Sequence, residues 1–290
     1  MIATSVVLLA TFCAAYSFEY YGNSAGSLFG AGVKADVYLV NSTHLQVTNL
    51  HITSNNIPSS PFVLISPNGQ RTSPKIFQYM VSPDGHWLRK LESLGREQRT
   101  GGTRYVLDLT GSAGVWKQFA IIDTNGNVAA AVNLQDKKPP RPFCCFERED
   151  NIGLFGEYGI ISEPIAVLDS RTLRIPRFSY KATETPDGFF YAGAGPEIDQ
   201  KTGKKAMIVG RDTPNHICPM LADISDREMI VRLDESQTIY DIEWLSVFCY
   251  QYSHDFGHLD LGLVEDEELV PPYIPDIRMT APPRLPQRKC

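Results

Sequence analysis

The two halves of this chain repeat each other in order. Leu28-Phe29-Gly30 recurs as Leu154-Phe155-Gly156. Val37-Tyr38-Leu39-Val40, a polar turn and Leu45-Gln46-Val47 recur as Ile165-Ala166-Val167-Leu168, a turn and Leu173-Arg174-Ile175. Further on, Asn49-Leu50-His51-Ile52 faces Arg177-Phe178-Ser179-Tyr180, and Pro58 to Val63 faces Pro186 to Tyr191. Tyr105 to Leu109 faces Met229 to Leu233, and Trp116 to Ile122 faces Ile242 to Phe248. The match lies in spacing and apolarity more than in identity, and it demands an architecture that can be built twice in tandem.

Within each copy, apolar and polar residues alternate over short runs bounded by Gly, Pro, Asn and Asp, and sustained 3.6-residue periodicity is largely missing. The expected fold class is therefore all-β: two tandem β-sandwich or partly closed barrel domains with a Pro-rich C-terminal tail. The expected boundaries are a signal peptide at 1–17, a first domain at 18–134, a Pro-rich linker at 135–151, a second domain at 152–263 and an acidic, then Pro-rich tail at 264–290. The linker run from Gln135 to Pro142 should be stiff and exposed. Six prolines between Pro271 and Pro286 should keep the tail extended, and it is not expected to pack as a domain.

With 290 residues, 43% apolar and 21% charged, the chain can bury real cores, which excludes disorder as its main state. A net charge of -6 argues against nucleic-acid binding, which needs cationic surface. The uncharged apolar run from Met1 to Ala15, closing on small residues, reads as a signal peptide cut after Ala15 or Ser17. No later segment reaches the length of a membrane span. Secretion is thus expected, and Asn41-Ser42-Thr43, in the turn between two strands, is the expected glycosylation site.

Of the six cysteines, Cys13 would leave with the signal peptide, and the remaining odd number requires a free or intermolecular thiol. The disulfide candidates are Cys144, Cys145, Cys218 and Cys249. Cys218 is the preferred partner of Cys249, with Cys144 or Cys145 as the alternative. Neighbours rarely bridge each other, so Cys144 and Cys145 should bind different partners. Cys290 is the candidate for an intermolecular bridge that would link chains into a dimer. Cys249 ends an apolar strand beside Tyr250 and Tyr252, where burial would raise a thiol's pKa rather than activate it.

Cys249, His254, Asp255, His258 and Asp260 are metal-capable, but strand and turn spacing does not bring them to one face, so no metal site and no cofactor are expected. Gly22-Asn23-Ser24-Ala25-Gly26 fits a nucleophile elbow but lacks the strand before it and the helix after it. Metalloprotease, Walker A and EF-hand patterns are absent, and no catalytic residue is expected. Tyr20, Tyr21, Tyr79, Trp87, Tyr191, Tyr250, Tyr252 and Tyr273 offer amphipathic contact surface.

Thr238 to Cys249 followed by Asp255-Phe256-Gly257-His258-Leu259 strongly resembles the closing signature of the DM-thirteen domain found in Skeletor and Knickkopf proteins. Phe155-Gly156, Leu173 to Phe178 and Pro186 to Gly193 match that family's opening strands and proline-aspartate loop. The second unit is similar over about 152–263, and the first, at about 20–134, resembles a diverged copy. The resemblance implies an extracellular β-rich module of matrix or cuticle, with redox work proposed for the recurring cysteine, here Cys249. In the first unit that position is Asp123, and no DOMON or cytochrome-like neighbour follows the second. The expected function is therefore a secreted, non-enzymatic interaction protein that binds extracellular matrix proteins or a chitin-like polysaccharide. The alternative is a redox or electron-transfer module acting through Cys249 or a cofactor bound near it.

Overall fold

A computed structural model describes residues 20–82, 85–265, 267–282 and 290, so the expected signal peptide lies outside the described residues. The first half forms β1 (Asn23–Gly30), β2 (Val33–Leu39), β3 (His44–Ile52), β4 (Phe62–Ile65) and β5 (Arg71–Thr72). It continues with β6 (Lys75–Ser82), β7 (Gly85–Leu91), β8 (Tyr105–Asp108), β9 (Gln118–Ile122) and β10 (Val128–Asn133). The alternation that predicts strands is visible in β2, which buries Val33, Ala35, Val37 and Leu39 and turns the residues between them outward. One sheet runs β1-β2-β3-β8-β6-β7 and the other β10-β9-β4-β5.

The second half forms β11 (Phe143–Phe146), β12 (Phe155–Gly156), β13 (Ile165–Asp169), β14 (Thr172–Tyr180) and β15 (Gly188–Gly193). Then come β16 (Gly203–Lys205), β17 (Met207–Ile208), β18 (Ile224–Arg232), β19 (Trp244–Cys249) and β20 (His254–Asp260). Its sheets run β11-β13-β14-β18-β17 and β12-β20-β19-β15-β16. The strand order of the first half recurs: β2-β3-β8-β6 corresponds to β13-β14-β18-β17, and β10-β9-β4-β5 to β20-β19-β15-β16. The fold is all-β and sandwich-like, and the sheets stay open rather than closing into barrels. Among the described residues the helical segments are single 3-10 turns, and no helix is long and apolar enough to cross a membrane.

Each half has its own core. Leu28, Leu45, Leu50, Phe62, Tyr105 and Phe119 belong to one cluster, and Ile175, Phe178, Tyr180, Phe190, Leu245 and Val247 to the other. Two backbone details recur with the topology. Asn49 (φ 52°) and Arg177 (φ 49°) both stand in the left-handed region, where β3 and β14, which correspond between the halves, each carry one residue more than the neighbouring strand. Both bulges are pinned by a side chain: Asn49 Nδ2 donates to Asp36 Oδ2 at 2.9 Å, and Arg177 Nε to Asp226 Oδ1 at 2.6 Å. Gly30 and Gly156 also match. A Cβ would come within 2.7 Å of the Ala129 carbonyl oxygen at Gly30 and 2.1 Å of the Phe256 carbonyl oxygen at Gly156, so only glycine lets those strands approach.

The described part of the tail forms no domain of its own, but it is docked along both halves. Ser170 N donates to the Pro271 carbonyl at 2.8 Å, and Tyr273 N to Ser170 Oγ at 3.0 Å. Val270 is buried in the second core, and the Arg171 and Arg232 guanidinium groups stack on the Tyr273 ring at 4.9 and 4.8 Å. Further on, Leu88 N donates to the Asp276 carbonyl at 3.0 Å and Arg278 N to the Leu88 carbonyl at 2.9 Å. The tail thus adds a parallel bridge to β7, the edge of the first half's larger sheet, and satisfies groups that would face solvent.

The core assignment predicts that Phe178→Ala lowers the urea unfolding free energy by about 3–5 kcal/mol, because it empties a fully buried ring site. Phe29→Ala, at a side chain 83% exposed, should change it by no more than about 0.5 kcal/mol.

Candidate functional site

Along β19, Leu245, Val247 and Cys249 point into the second core, while Trp244, Ser246 and Phe248 point to the opposite face. Cys249 is a free thiol, 1% exposed. Directly across the ladder from it is Gly188. A Cβ on Gly188 would meet the Tyr180 hydroxyl at 2.2 Å, so this glycine makes room for a phenol reaching over from the other sheet. That hydroxyl lies 2.5 Å from Thr185 Oγ1. Burial pushes the Tyr180 phenol up, the Thr185 hydrogen bond opposes this, and neighbouring Cys249 adds to the rise.

The Pro186-Asp187-Gly188 loop enters β15 beside this pair. Asp187 takes φ 54°, its carboxylate accepts Gln251 N at 2.9 Å, and its carbonyl accepts Tyr250 N at 3.3 Å. The arrangement is a buried, reduced sulfur beside a phenol, shut away from bulky disulfide partners.

On the opposite face Tyr191 stacks on Phe248 with ring centroids 4.7 Å apart and on Trp244 at 6.1 Å. Gly193 and Gly203 leave space for the Trp244 indole, whose Nε1 donates to the Gly195 carbonyl at 3.1 Å. Lys205 Nζ sits over the Phe189 ring at 3.5 Å and the Tyr250 ring at 4.1 Å. Burial lowers the Lys205 pKa, with Asp187 opposing. Ser246 Oγ donates to Asp255 Oδ1 at 2.6 Å, Gly257 N donates to the same oxygen at 3.1 Å, and His258 Nδ1 pairs with Asp255 Oδ2 at 2.5 Å. This is a Ser, Asp, His cluster with the carboxylate at its centre. A nucleophilic triad needs the imidazole between serine and acid, so the cluster is an orienting network and gives the serine no base.

The cysteines differ from expectation. Cys249 pairs with neither Cys218 nor Cys144 or Cys145, because its side chain faces the core. Cys218 is joined instead to Cys290, with Cα atoms 5.4 Å apart. The docked tail delivers Cys290 to the second domain, so the expected intermolecular bridge is intramolecular here. Cys144 and Cys145 bridge each other, against the expectation of separate partners. They occupy an edge strand in which Phe143 faces Val167 and Phe146 faces Ile165, three steps against two, so the extra residue frees that backbone from ladder pairing.

The metal-capable set does not gather: His254 faces outward toward Glu157 at 3.6 Å, His258 is held by Asp255, and Cys249 is inside the core. Asn41 lies on the β2–β3 turn, its Oδ1 accepting Thr43 N at 2.9 Å. Asp123, at the Cys249 position of the first half, accepts Asn127 N at 2.8 Å in a turn, and those backbone hydrogen bonds hold its carboxyl below the usual range.

Of the aromatic candidates, Trp87 and Tyr191 are buried and Tyr252 is exposed. Tyr20, Tyr79 and Tyr273 meet, with Arg104, His86 and Tyr240, around a cleft of about 400 Å³ between the two sandwiches. Arg104 stacks on the Tyr79 ring at 4.1 Å and on Tyr21 at 4.9 Å. Sequence reasoning did not find this cleft, since its walls come from segments far apart in the chain.

Residues 156–261 match the family model "Electron transfer DM13". Among curated proteins, Protein Skeletor, isoforms B/C, of Drosophila melanogaster is 33% identical over 132 residues, 45% of this chain and 16% of that protein. Isoforms D/E of the same protein are 33% identical over 132 residues, 8% of their length. The chain thus spans less than a fifth of either relative. No solved structure matches.

Burial pushes Tyr191 up to about 12, helped by Tyr250 and Asp199, and pushes Tyr105 up to about 12 against a hydrogen bond with Thr103. These phenols stay neutral in the fold after the unfolded chain ionises near its ordinary 10.0, so their contribution is whole below pH 10.0 and is lost as pH rises toward about 12. The expected outcome is a urea midpoint falling across that interval, with the ultraviolet phenolate signal lagging that of the unfolded chain.

Proposed function

We propose that this chain, whose residues 156–261 match the DM13 family model and which is similar to Skeletor over 45% of its length, is a secreted protein of extracellular matrix or cuticle that works by binding rather than by catalysis. The observation that carries this reading is the cleft between the sandwiches, where Tyr20, Tyr79, Tyr240 and Tyr273 line a polar groove held by a docked tail. Tyrosine rings stack on sugar faces or pack against protein while their hydroxyls stay wet, and a groove fixed beforehand loses little entropy on binding. The partners are matrix proteins or a chitin-like polysaccharide. Two supports favour the compartment: the disulfides of Cys144–Cys145 and Cys218–Cys290 suit an oxidising environment, and Asn41 lies at a surface turn.

Expressed from its own Met1 in secreting cells, the chain should reach the medium, lose its first 15 or 17 residues and shrink on treatment with peptide N-glycosidase. The purified protein should be retained on chitin or on a matrix extract, and Tyr79→Ala should weaken retention by up to about tenfold, the worth of one aromatic contact. Retention on neither material would overturn the reading.

The second reading, an electron-transfer module acting through Cys249 or a cofactor bound near it, is favoured by the free thiol beside Tyr180 in a domain described by that activity. Visible absorbance or a reversible redox wave in protein purified from secreting cells, lost in Cys249→Ser, would support it. A colourless, redox-silent protein would remove it.

A further inference from the structure

We propose that His216, Cys218 and Cys290 form a zinc site that takes the place of the Cys218–Cys290 disulfide when that bridge is reduced, so that the tail is latched by either a sulfur–sulfur bond or a metal ion. One donor atom from each of the three residues lies within 4.8 Å of the other two, and Cys218 Sγ is 3.2 Å from His216 Nε2. Two donors bound to one zinc at about 2.0–2.3 Å stand roughly 3.5 Å apart, so the set needs only small side-chain rotations to share an ion. Two thiolates and an imidazole are a zinc donor set, with a fourth position left to solvent.

Two of the three ligands are held in place without the tail. Thr213 N donates to the His216 carbonyl at 3.1 Å and His216 N to the Thr213 carbonyl at 2.9 Å, closing the turn that presents the imidazole. The Asp212 side chain is 1% exposed and accepts Ile208 N at 2.8 Å and Arg211 Nε at 2.9 Å. Arg211 in turn donates to the Cys218 carbonyl and, at 3.3 Å, to the Pro219 carbonyl. A buried carboxylate and its arginine therefore clamp the loop that carries His216 and Cys218. The third ligand arrives with the tail, which is anchored independently at Ser170 and Leu88. His216 and Cys218 are half-buried and Cys290 is exposed, so this bridge is open to a reductant, unlike Cys249.

The chemistry balances with a dithiol as reductant. Two electrons and two protons pass to Cys218 and Cys290, their sulfur–sulfur bond breaks, and the dithiol closes into its own disulfide. Zinc(II) then displaces one proton from each thiol, while the neutral imidazole binds without losing one; the metal's oxidation state does not change.

The test uses the full chain carrying Cys144→Ser and Cys145→Ser, so that no other bridge responds. The protein is reduced with dithiothreitol, desalted under argon and given zinc chloride. The expected result by native mass spectrometry is one retained zinc per reduced chain and none per oxidised chain, with Cys218 and Cys290 both shielded from iodoacetamide. Cobalt(II) in the same site should give sulfur-to-metal charge-transfer absorption that disappears in Cys290→Ser, and His216→Ala should weaken zinc binding by about tenfold or more. A reduced chain that retains no more zinc than the oxidised one, or that binds it equally well without His216 and Cys290, overturns the proposal. Should the serine pair fail to fold, the wild-type chain with peptide-resolved alkylation gives the same comparison.

Discussion

The main-chain hydrogen bonds of the tail, to Ser170 at one end and to Leu88 at the other, make one body of two sandwiches. Each sandwich buries its own apolar cluster, so no common core fixes one against the other. What lies between them is polar and aromatic: Tyr273 under two guanidinium groups, and the Glu235 carboxylate beside Gly85. Such a seam would slide in an ordinary two-domain protein, because polar interfaces between domains yield easily. Backbone pairing to β7 gives it a register, and the cleft keeps its shape because the register is kept.

Much of the family signature in the second half turns out to be construction. Thr238 and Asp241 form a reciprocal cap on a 3-10 turn, Trp244 fills the space over two glycines, and Asp255 ties Ser246 to His258. Gly257 lets β20 lie against Gly156. These residues specify how a sheet is covered and closed, which explains why a resemblance in them identifies a fold more sharply than a reaction. Cys249 and Gly188 are the part of the signature that meets a reactive group, the Tyr180 phenol from outside it, and the first half, with Asp123 in a turn, has no thiol to match.

Local periodicity made the strands readable in the sequence. The recurrence of Leu28-Phe29-Gly30 at Leu154-Phe155-Gly156 was readable too, but the matching bulges at Asn49 and Arg177 were not, since an asparagine and an arginine there share a backbone conformation and no side-chain pattern. The pairing of Cys218 with Cys290, the docking of the tail and the walls of the cleft were not readable. Each depends on where a distant segment arrives in space, and alternation along a strand carries no information about that. The bridge between Cys144 and Cys145 escaped for a different reason: it needs a stretch of edge strand released from its ladder, and the two-against-three count that releases it appears only once β11 and β13 are laid side by side. His216, two residues before Cys218, was visible, but without Cys290 beside it the pair had no third member.

The sandwiches are joined twice, once along the chain by the proline-rich segment after β10 and again by the hydrogen-bonded strap that leaves the second unit for β7. A single flexible connection lets two bodies tumble about a point, whereas two separated connections confine them to rotation about the line that joins the attachment points. Rotation about that single axis is therefore the one freedom these two attachments would leave to the groove, like a book held at the top and bottom of its spine.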